Sequence, residues 1–567
     1  MEENEMIDFE LESTAKNAQT LLEGMWYMEL PELLDKERLF NNLMDILVQI
    51  NDGEIYESYK ADEQNFITDY KNIDSPSYLR KPGVEPITYY VFKNNKSLRE
   101  MQIPNLIHYI SFIYNSLWIF DDLFEELYCN SDNKAYIDNS NSYVVFNDLF
   151  FIQKQYDEEE EVELGVFTNK NNKIHGNAIM SSNRARYEHI AEAYLYGVKM
   201  DIESFFPNMY THYFDKISDM EPFDKWGNSK QYFKFLDTFH QRINNNQTKG
   251  IPAGTFSAHI AAELCMLCVD ERIRKLIDSS KVGYIRYVDD LTLFADSQDE
   301  LIRIGMDIQK VLNEFRLRVN GNKTKIFKNS VSMQLTNIDE IKNKLGFLYS
   351  DERTHILDTN EMQYLKEYIA VLIQKEKISQ VKTILTRLLN CITLGSIDTL
   401  NVHLSLFCYL VTLLYEDENL AVHCYRLLDK LIEKDSKNEC YSILEKKTEI
   451  VDVKYSETLL QIWHYYVLTK HIGKDQRKKL FLERADKLKN PIIYTFFIEE
   501  GKKENAHIVR KIKEVFTNED KKPGWKKKII YSKWWLPLSK IRMMDCHNYE
   551  GIFESGFFPK VLNDLLK

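Results

Sequence analysis

The sequence predicts an α+β region followed by an all-α region, and three observations predict it. Two β-prone runs, Gly283-Tyr-Ile-Arg-Tyr-Val288 and Leu291-Thr-Leu-Phe-Ala295, flank the adjacent carboxylates Asp289-Asp290. Strand-like and helix-like stretches alternate from about residue 85 to 350. From about residue 351 apolar residues recur at spacings of three and four, and no proline occurs between Pro252 and Pro491. The expected division is residues 1–84, a helical N-terminal part; residues 85–350, the α+β part; and residues 351–567, an α-helical repeat region.

Each element has its own justification. Ala15 to Leu30 is modestly amphipathic and reads as a helix. Val198-Lys-Met200 is a short apolar strand ending in Asp201. Lys249-Gly-Ile-Pro-Ala-Gly-Thr-Phe-Ser257 is a loop in which Gly250 and Gly254 admit close backbone approach and Pro252 stiffens the turn, with a helix over 258–273. Runs of Ile, Val, Tyr, Phe and Thr around an Asp pair read as strand, tight turn, strand. Ile119-Phe120-Asp121-Asp122 carries a similar pair, so the acidic dipeptide alone decides little. Segments 361–377, 378–392, 398–416, 419–434, 456–472 and 474–488 each have helical spacing. Helices of this length on short loops suggest stacked antiparallel pairs, without a strict repeat period.

Composition sets the bounds. With 567 residues, 44% hydrophobic and 13% aromatic, the chain can bury two or three domain-sized cores. No window approaches the roughly 18 apolar residues of a membrane helix, and the acidic start Met1-Glu-Glu-Asn-Glu5 differs from a secretory signal, so no membrane partner and a cytoplasmic, bacterial location are expected. Eight dispersed cysteines read as reduced thiols, with Cys265 and Cys268 as packing residues in a helix. The net charge of −14 has the wrong sign for coating long duplexes, so any nucleic-acid contact must be local. The run Asp157 to Glu161 is a solvated loop, and Lys521 to Lys528 with Lys533-Trp-Trp535 mixes cations and aromatics, as a solvated basic edge or a base-stacking segment would.

The chemistry lies in the α+β part. If the strand ending at Asp201 runs beside the hairpin, Asp201, Asp289 and Asp290 converge. Three carboxylates at one point need a strong cation, and hard oxygen ligands suit Mg²⁺ beside substrate phosphates. Two such ions activate an attacking hydroxyl and stabilise a leaving oxygen, which is the chemistry of nucleotidyl transfer.

The order and spacing of these pieces resemble the fingers and palm of a reverse transcriptase, over about residues 85 to 350. Asp201 with Phe206 resembles that family's motif A, Gly250-Ile-Pro-Ala-Gly254 motif B, and Tyr287-Val-Asp-Asp290 motif C. Arg318-Val-Asn320 with Asn322-Lys-Thr-Lys325 resembles motif D, Lys344-Leu-Gly-Phe347 motif E, and Phe92-Lys93 with Leu98 to Asn105 the fingers segment. The flanks Phe205-Phe-Pro-Asn-Met-Tyr-Thr-His212, Asn246-Gln-Thr-Lys-Gly-Ile-Pro252, Ser257 and Ala262-Glu263 are similar to the abortive-infection type among bacterial defence-associated reverse transcriptases. The resemblance implies a ferredoxin-like antiparallel palm and an α-helical repeat domain behind it. It implies Asp201, Asp289, Asp290 and the Ile202 carbonyl as metal ligands, for Mg²⁺ with Mn²⁺ the alternative. It implies Lys93, Arg99, Ala253, Gly254 and Lys323 around the nucleotide, and Phe206 beneath a deoxyribose. Arg184 and Arg186 are further candidates. The implied partners are deoxynucleoside triphosphates, a single-stranded DNA product attached to the protein or free, RNA, and further copies of the chain.

One departure bears on mode. Template-copying retroviral relatives have glutamine where this chain has Ala253, and alanine cannot hydrogen-bond to a nucleotide. With helices following the palm, this favours untemplated, protein-primed synthesis in antiviral defence, as characterised relatives of that type perform. The 34 tyrosines leave the priming residue unassigned. The alternatives are templated cDNA synthesis, as in retron or intron enzymes, and a nuclease effector in the helical region, where Arg542 and His547 have the Arg-x4-His spacing of helical ribonucleases of the HEPN type.

Overall fold

Two helices begin the described chain, α1 (Glu12–Glu23) and α2 (Lys36–Asn51), and their apolar faces, with Leu21, Leu22, Leu39 and Leu43, are buried. The structure, a computed structural model, describes residues 12–27, 29–51, 83–93, 97–124, 187–329, 337–349, 354–500, 504–519 and 532–544. Strands β1 (Ile87–Lys93) and β2 (Ser97–Ile103) form an antiparallel hairpin in register from Ile87 opposite Ile103 to Lys93 opposite Ser97. Helix α3 (Leu106–Phe124) follows, apolar along most of its length, so Ile119 to Asp122 belongs to a helix and not to a strand turn.

The central sheet has four antiparallel strands in the order β4-β5-β3-β6, made by β3 (Tyr196–Asp201), β4 (Val282–Tyr287), β5 (Asp290–Ala295) and β6 (Lys325–Lys328). Between β3 and β4 the chain makes α4 (Ser229–Ile243) and α5 (Phe256–Leu276), and between β5 and β6 it makes α6 (Gln298–Glu314). Thr255 caps α5 by accepting from the Ala258 N–H. Small residues, Ala258, Ala261, Ala262, Cys265 and Cys268, let α5 run through the core almost wholly buried. Burial pushes the Cys265 thiol up to about 12, and Cys268 also upward, so both pack as small hydrophobes, as the sequence predicts.

Beyond the sheet the chain is helical. Helices α7 (Thr359–Gln374), α8 (Ile378–Leu394), α9 (His403–Glu416), α10 (Ala421–Glu433) and α11 (Leu459–Lys470) follow, with α10 packed against α8, α9 and α11. Asp358 and Glu361 form a capping box on α7, and Gly395 ends α8 with φ 74°. The expected helix over 398–416 starts only at His403, because residues 397–398 pair as a short parallel strand with 355–356. Short helices at Glu439–Glu445 and Thr448–Lys454 lie below the length that periodicity detects.

The helical array closes onto the β1–β2 hairpin. Tyr90 bridges in parallel to Thr458 and its N–H donates to the Glu457 carbonyl at 3.0 Å. Asn490 Nδ2 donates to the Thr88 carbonyl at 3.1 Å, and the Phe92 and Tyr455 rings meet edge to face with centroids 5.9 Å apart. These contacts cover the open edge of β1, which would otherwise present unpaired backbone groups. Trp463 Nε1 donates to the Glu29 carbonyl at 2.8 Å, and one buried apolar cluster runs from Ala18 to Ile541. Trp534 and Trp535 lie inside it, Trp534 against Tyr494 with centroids 4.9 Å apart. They are core residues, which corrects the reading of this pair as a base-stacking surface; Lys521 to Lys528 lie outside the described residues.

Candidate active site

The acidic turn is a tight one. β4 and β5 pair up to Tyr287 opposite Asp290, leaving Val288 and Asp289 as the loop. Val288 has φ 53°, a costly conformation for a β-branched residue, about 1 to 3 kcal/mol. Its neighbour in sequence supports it, since Arg286 Nη1 donates to the Val288 carbonyl at 3.1 Å. Arg286 has no solvent exposure and lies between two carboxylates of α5, with Nη1 and Nη2 each 2.9 Å from Glu263 and Nη2 2.7 Å from Asp270. Tyr284 Oη donates to Asp270 at 2.5 Å. Burial raises the Asp270 carboxyl, with the Arg286 charge opposing the rise. The sequence reading passed over Arg286; the available signal was a cation within an otherwise apolar strand.

β3 brings Asp201 to the same end of the sheet, directly opposite Asp290 on β5. The Ile202 N–H donates to the Asp289 carbonyl at 3.0 Å, and the Asn320 N–H donates to the Asp201 carbonyl at 2.7 Å. Asp201, Ile202, Asp289 and Asp290 are therefore brought together as predicted. Burial raises the Asp289 carboxyl, the Asp290 and Asp201 charges raise it further, and Arg99 pulls it down. Lys323 Nζ lies 2.6 Å from Asp201 Oδ1, and Lys199 Nζ lies 3.1 Å from Asp290 Oδ2. Lys199 was not among the sequence candidates.

The fingers hairpin faces this site. Arg99 is opposite Val91 in the ladder, so Lys93, two residues on, shares its face. Burial lowers the Lys93 pKa, Lys323 and Arg99 lower it further, and Asp201 and Asp289 raise it, so all four of these charges are felt at Lys93. Lys93 and Arg99 also line a cavity of about 200 Å³ with Tyr27, Glu29, Lys382 and Glu418, where the hairpin meets the helical array.

The glycine loop joins the two parts. Gly250 (φ 87°) donates its N–H to the Met209 carbonyl at 2.7 Å, and Ile251 donates to the Phe206 carbonyl at 3.1 Å. Gly254 has φ 96°, a conformation that strains any residue with a Cβ, and a Cβ there would also displace the Met101 methyl of β2, 2.5 Å away. The Ala253 carbonyl accepts from the Gln102 N–H at 3.3 Å. Phe206 is half-buried between Phe205 and His259, with centroids 5.3 and 5.0 Å away, and burial pushes His259 down to about 4. His212 Nδ1 is 3.0 Å from Asp237 Oδ2, which anchors the segment after Phe206 to α4. Arg184, Arg186 and His547 lie outside the described residues, as does the side chain of Arg542.

The described residues form a palm-like antiparallel sheet that gathers acidic residues at one end, beneath a cationic hairpin. Residues 166–365 match the family model described as reverse transcriptase (RNA-dependent DNA polymerase), so the chain carries a reverse transcriptase domain. Among solved structures it is similar to telomerase from Candida albicans with a fragment of telomeric RNA, at 11% identity over 71% of this chain and 66% of that one, TM-score 0.29. It is also similar to apo telomerase from Candida tropicalis, at 10% identity over 91% of this chain and 76% of that one, TM-score 0.31. The chain thus spans just under two thirds of the Candida albicans protein.

Domains of this family work with divalent metal ions. Among the described residues no three His, Cys, Asp or Glu side chains are set around one point at metal-binding distance. The residue types nonetheless fit such an ion, because Asp201, Asp289 and Asp290 are close enough for Asp289 to feel the charge of the other two.

Proposed function

We propose that this protein adds deoxynucleotides to a growing DNA end by nucleotidyl transfer at Asp201, Asp289 and Asp290, using Mg²⁺, without a template and from a hydroxyl of the protein itself, in defence against viruses. The observation that carries the reaction is the placement of Asp201 opposite Asp290 beside the turn residue Asp289. The three carboxylates and the Ile202 carbonyl would hold the metal, which would supply a lowered pKa at the attacking hydroxyl and positive charge beside the phosphates. Lys93 and Arg99, on one face of the hairpin, grip the triphosphate oxygens, Arg99 in bidentate fashion. The hydroxyl gives its proton to water as its oxygen attacks the α-phosphorus, the bond from the α-phosphorus to the α–β bridging oxygen breaks, and Lys323 gives a proton to the departing pyrophosphate. Phe206 fills the space a 2′-hydroxyl would need.

Support for untemplated synthesis comes from Ala253. Its side chain has no hydrogen-bonding group, so no side chain at this position reads a nucleotide. The defence setting, the protein primer, the deoxynucleotide preference and association into oligomers rest on the similarity to abortive-infection enzymes.

The test is to incubate purified protein with each labelled deoxynucleoside triphosphate and Mg²⁺ and to run a denaturing protein gel. Label migrating with the protein supports a protein primer. Labelled DNA free of protein and complementary to a bound RNA supports templated synthesis instead, and no incorporation sinks the polymerase reading.

A further inference from the structure

Behind the catalytic loop lies a cavity of about 880 Å³ that no step of the proposed reaction uses. Three segments wall it: the chain from Glu203 to Lys216 after Asp201, Lys249 at the head of the glycine loop, and Asn313 to Arg318 after α6. Lys216, Lys249, Arg316 and Arg318 all line it, against the single carboxylate of Glu203. None of the four forms a salt bridge among the described residues, although the whole chain carries a net charge of −14. Four cations facing one space repel one another unless an anion sits among them.

The uncharged part of the wall is aromatic. Tyr210 is 40% exposed, and its ring meets those of His212 and Tyr213 edge to face, with centroids 5.1 and 6.1 Å away. Lys216 Nζ lies 4.9 Å from the Tyr213 ring centre, and Arg316 Nε donates to Tyr213 Oη at 3.3 Å from a backbone with φ 59°. Exposed rings beside unneutralised Lys and Arg suit a heteroaromatic base carrying phosphates. The volume is that of a small-molecule site, and the cations come from three separate segments of the chain that meet at it.

We propose that this cavity binds a second nucleoside polyphosphate, apart from the one at the carboxylates, with its phosphates among Lys216, Lys249, Arg316 and Arg318 and its base against Tyr210 and Tyr213. The site is tied to the catalytic end through backbone hydrogen bonds. The Glu203 N–H donates to the Arg318 carbonyl at 2.8 Å, and two residues on, the Asn320 N–H holds the Asp201 carbonyl at 2.7 Å. A nucleotide drawing Arg318 inward therefore bears on the segment that places Asp201.

The inference rests on the polymerase reading only for the other site, and the test separates the two. Equilibrium dialysis of the full chain with radiolabelled α,β-methylene dATP, which is not transferred, is expected to give two molecules per chain. Lys249→Ala with Arg316→Ala is expected to leave one, and the remaining affinity for the cavity to fall about tenfold per cation removed. Asp289→Ala with Asp290→Ala should abolish the other site and keep this one. Because both cavity residues are exposed, Lys216→Glu serves as an independent variant with the same expected loss. Inorganic tripolyphosphate should compete at the cavity. If the two cavity variants bind as the wild type does, or if a single-stranded oligonucleotide fills the cavity and the nucleotide analogue does not, the proposal is wrong. One site per chain that only the carboxylate variant removes also overturns it, whereas one site that only the cavity variants remove leaves it standing and counts against the polymerase reading.

Discussion

The sheet end and the helical array are held together by opposite means. At the sheet end, charge is buried or crowded: Arg286 is enclosed with Glu263 and Asp270, Val288 is in a left-handed conformation, and three carboxylates share one corner. In the array most of what is buried is apolar, with Leu410, Leu427, Leu428, Leu431 and Leu468 between helices, and its buried carboxylates are each satisfied, Asp452 by Gln461 and Tyr465 and Asp429 by Lys470 and His471. Charge crowding costs stability and is kept where chemistry needs it, while apolar packing supplies stability and asks for no particular chemistry. Substitutions at the sheet end should therefore act on synthesis more than on folding, and those in the array the reverse.

The sharpest break between them is expected at the carboxylates. Replacing Asp289 and Asp290 with Asn should lower DNA synthesis at least about a thousandfold, through loss of charge stabilisation worth several kcal/mol. The same change should not unfold the protein. Because Asp289 is raised above its unfolded value, the folded state binds its proton more tightly, so ionising it at neutral pH costs stability. Asp289→Asn alone should raise the melting temperature at pH 7, and the gain should shrink as the pH falls through the carboxyl's folded pKa. A melting temperature lower than wild type at pH 7 would show that the turn needs this charge for folding.

Arg286 tests the exception, a sheet-end residue that should act on both. Arg286→Leu leaves Glu263 and Asp270 buried without their cation, a loss of about 3 to 5 kcal/mol by analogy with broken buried pairs. It also frees the Val288 carbonyl. The triple variant Arg286→Leu, Glu263→Leu, Asp270→Leu should recover much of the melting temperature but little synthesis. Recovery of both would mean that the cluster serves folding only and does not position the turn.

How much of this was legible in the sequence follows the same division. Asp201, Asp289 and Asp290 stood out because carboxylates at strand ends are conspicuous, and Gly250 and Gly254 because paired glycines admit close backbone approach, to which the structure adds that both have positive φ. Most array helices were legible from spacing, to within a few residues for 378–392 against Ile378–Leu394. Three kinds of feature were not. Arg286 is satisfied by residues far away in sequence, which no local pattern shows. Trp534 and Trp535 follow a lysine-rich stretch, and composition alone cannot tell buried indoles from exposed ones. The cover over β1 uses Thr458 and Asn490, polar residues whose partners are backbone atoms of another region.

A smaller effect is expected at Phe206. Its ring is held by Phe205 and His259, beyond the end of β3, and Phe206→Ala removes the bulk proposed to lie beneath the sugar. Ribonucleotide incorporation relative to deoxynucleotide should rise about tenfold or more, as for other steric filters in apolar pockets. An unchanged ratio in competition with equal concentrations of the two triphosphates would remove Phe206 from the role of sugar filter.

The smallest effect asks whether the array does more than support. Trp463 donates to the Glu29 carbonyl at 2.8 Å and meets Tyr466 with centroids 5.3 Å apart, joining α11 to the segment after α1. Trp463→Phe keeps a ring there and removes the donor, leaving a part-buried carbonyl unpaired, a cost of about 1 to 2 kcal/mol. If the array only stabilises, the melting temperature should fall slightly and synthesis by the folded protein should stay the same. Glu29 and Tyr27, however, line the small cavity that also holds Lys93 and Arg99, so a slack joint here would be felt at the residues proposed to grip the triphosphate. The discriminating measurement is the apparent KM for deoxynucleotide at a temperature where the variant remains folded: a raised KM with unchanged kcat would make the helical array part of the nucleotide grip, and equal KM would leave the two regions as distinct in function as they are in construction.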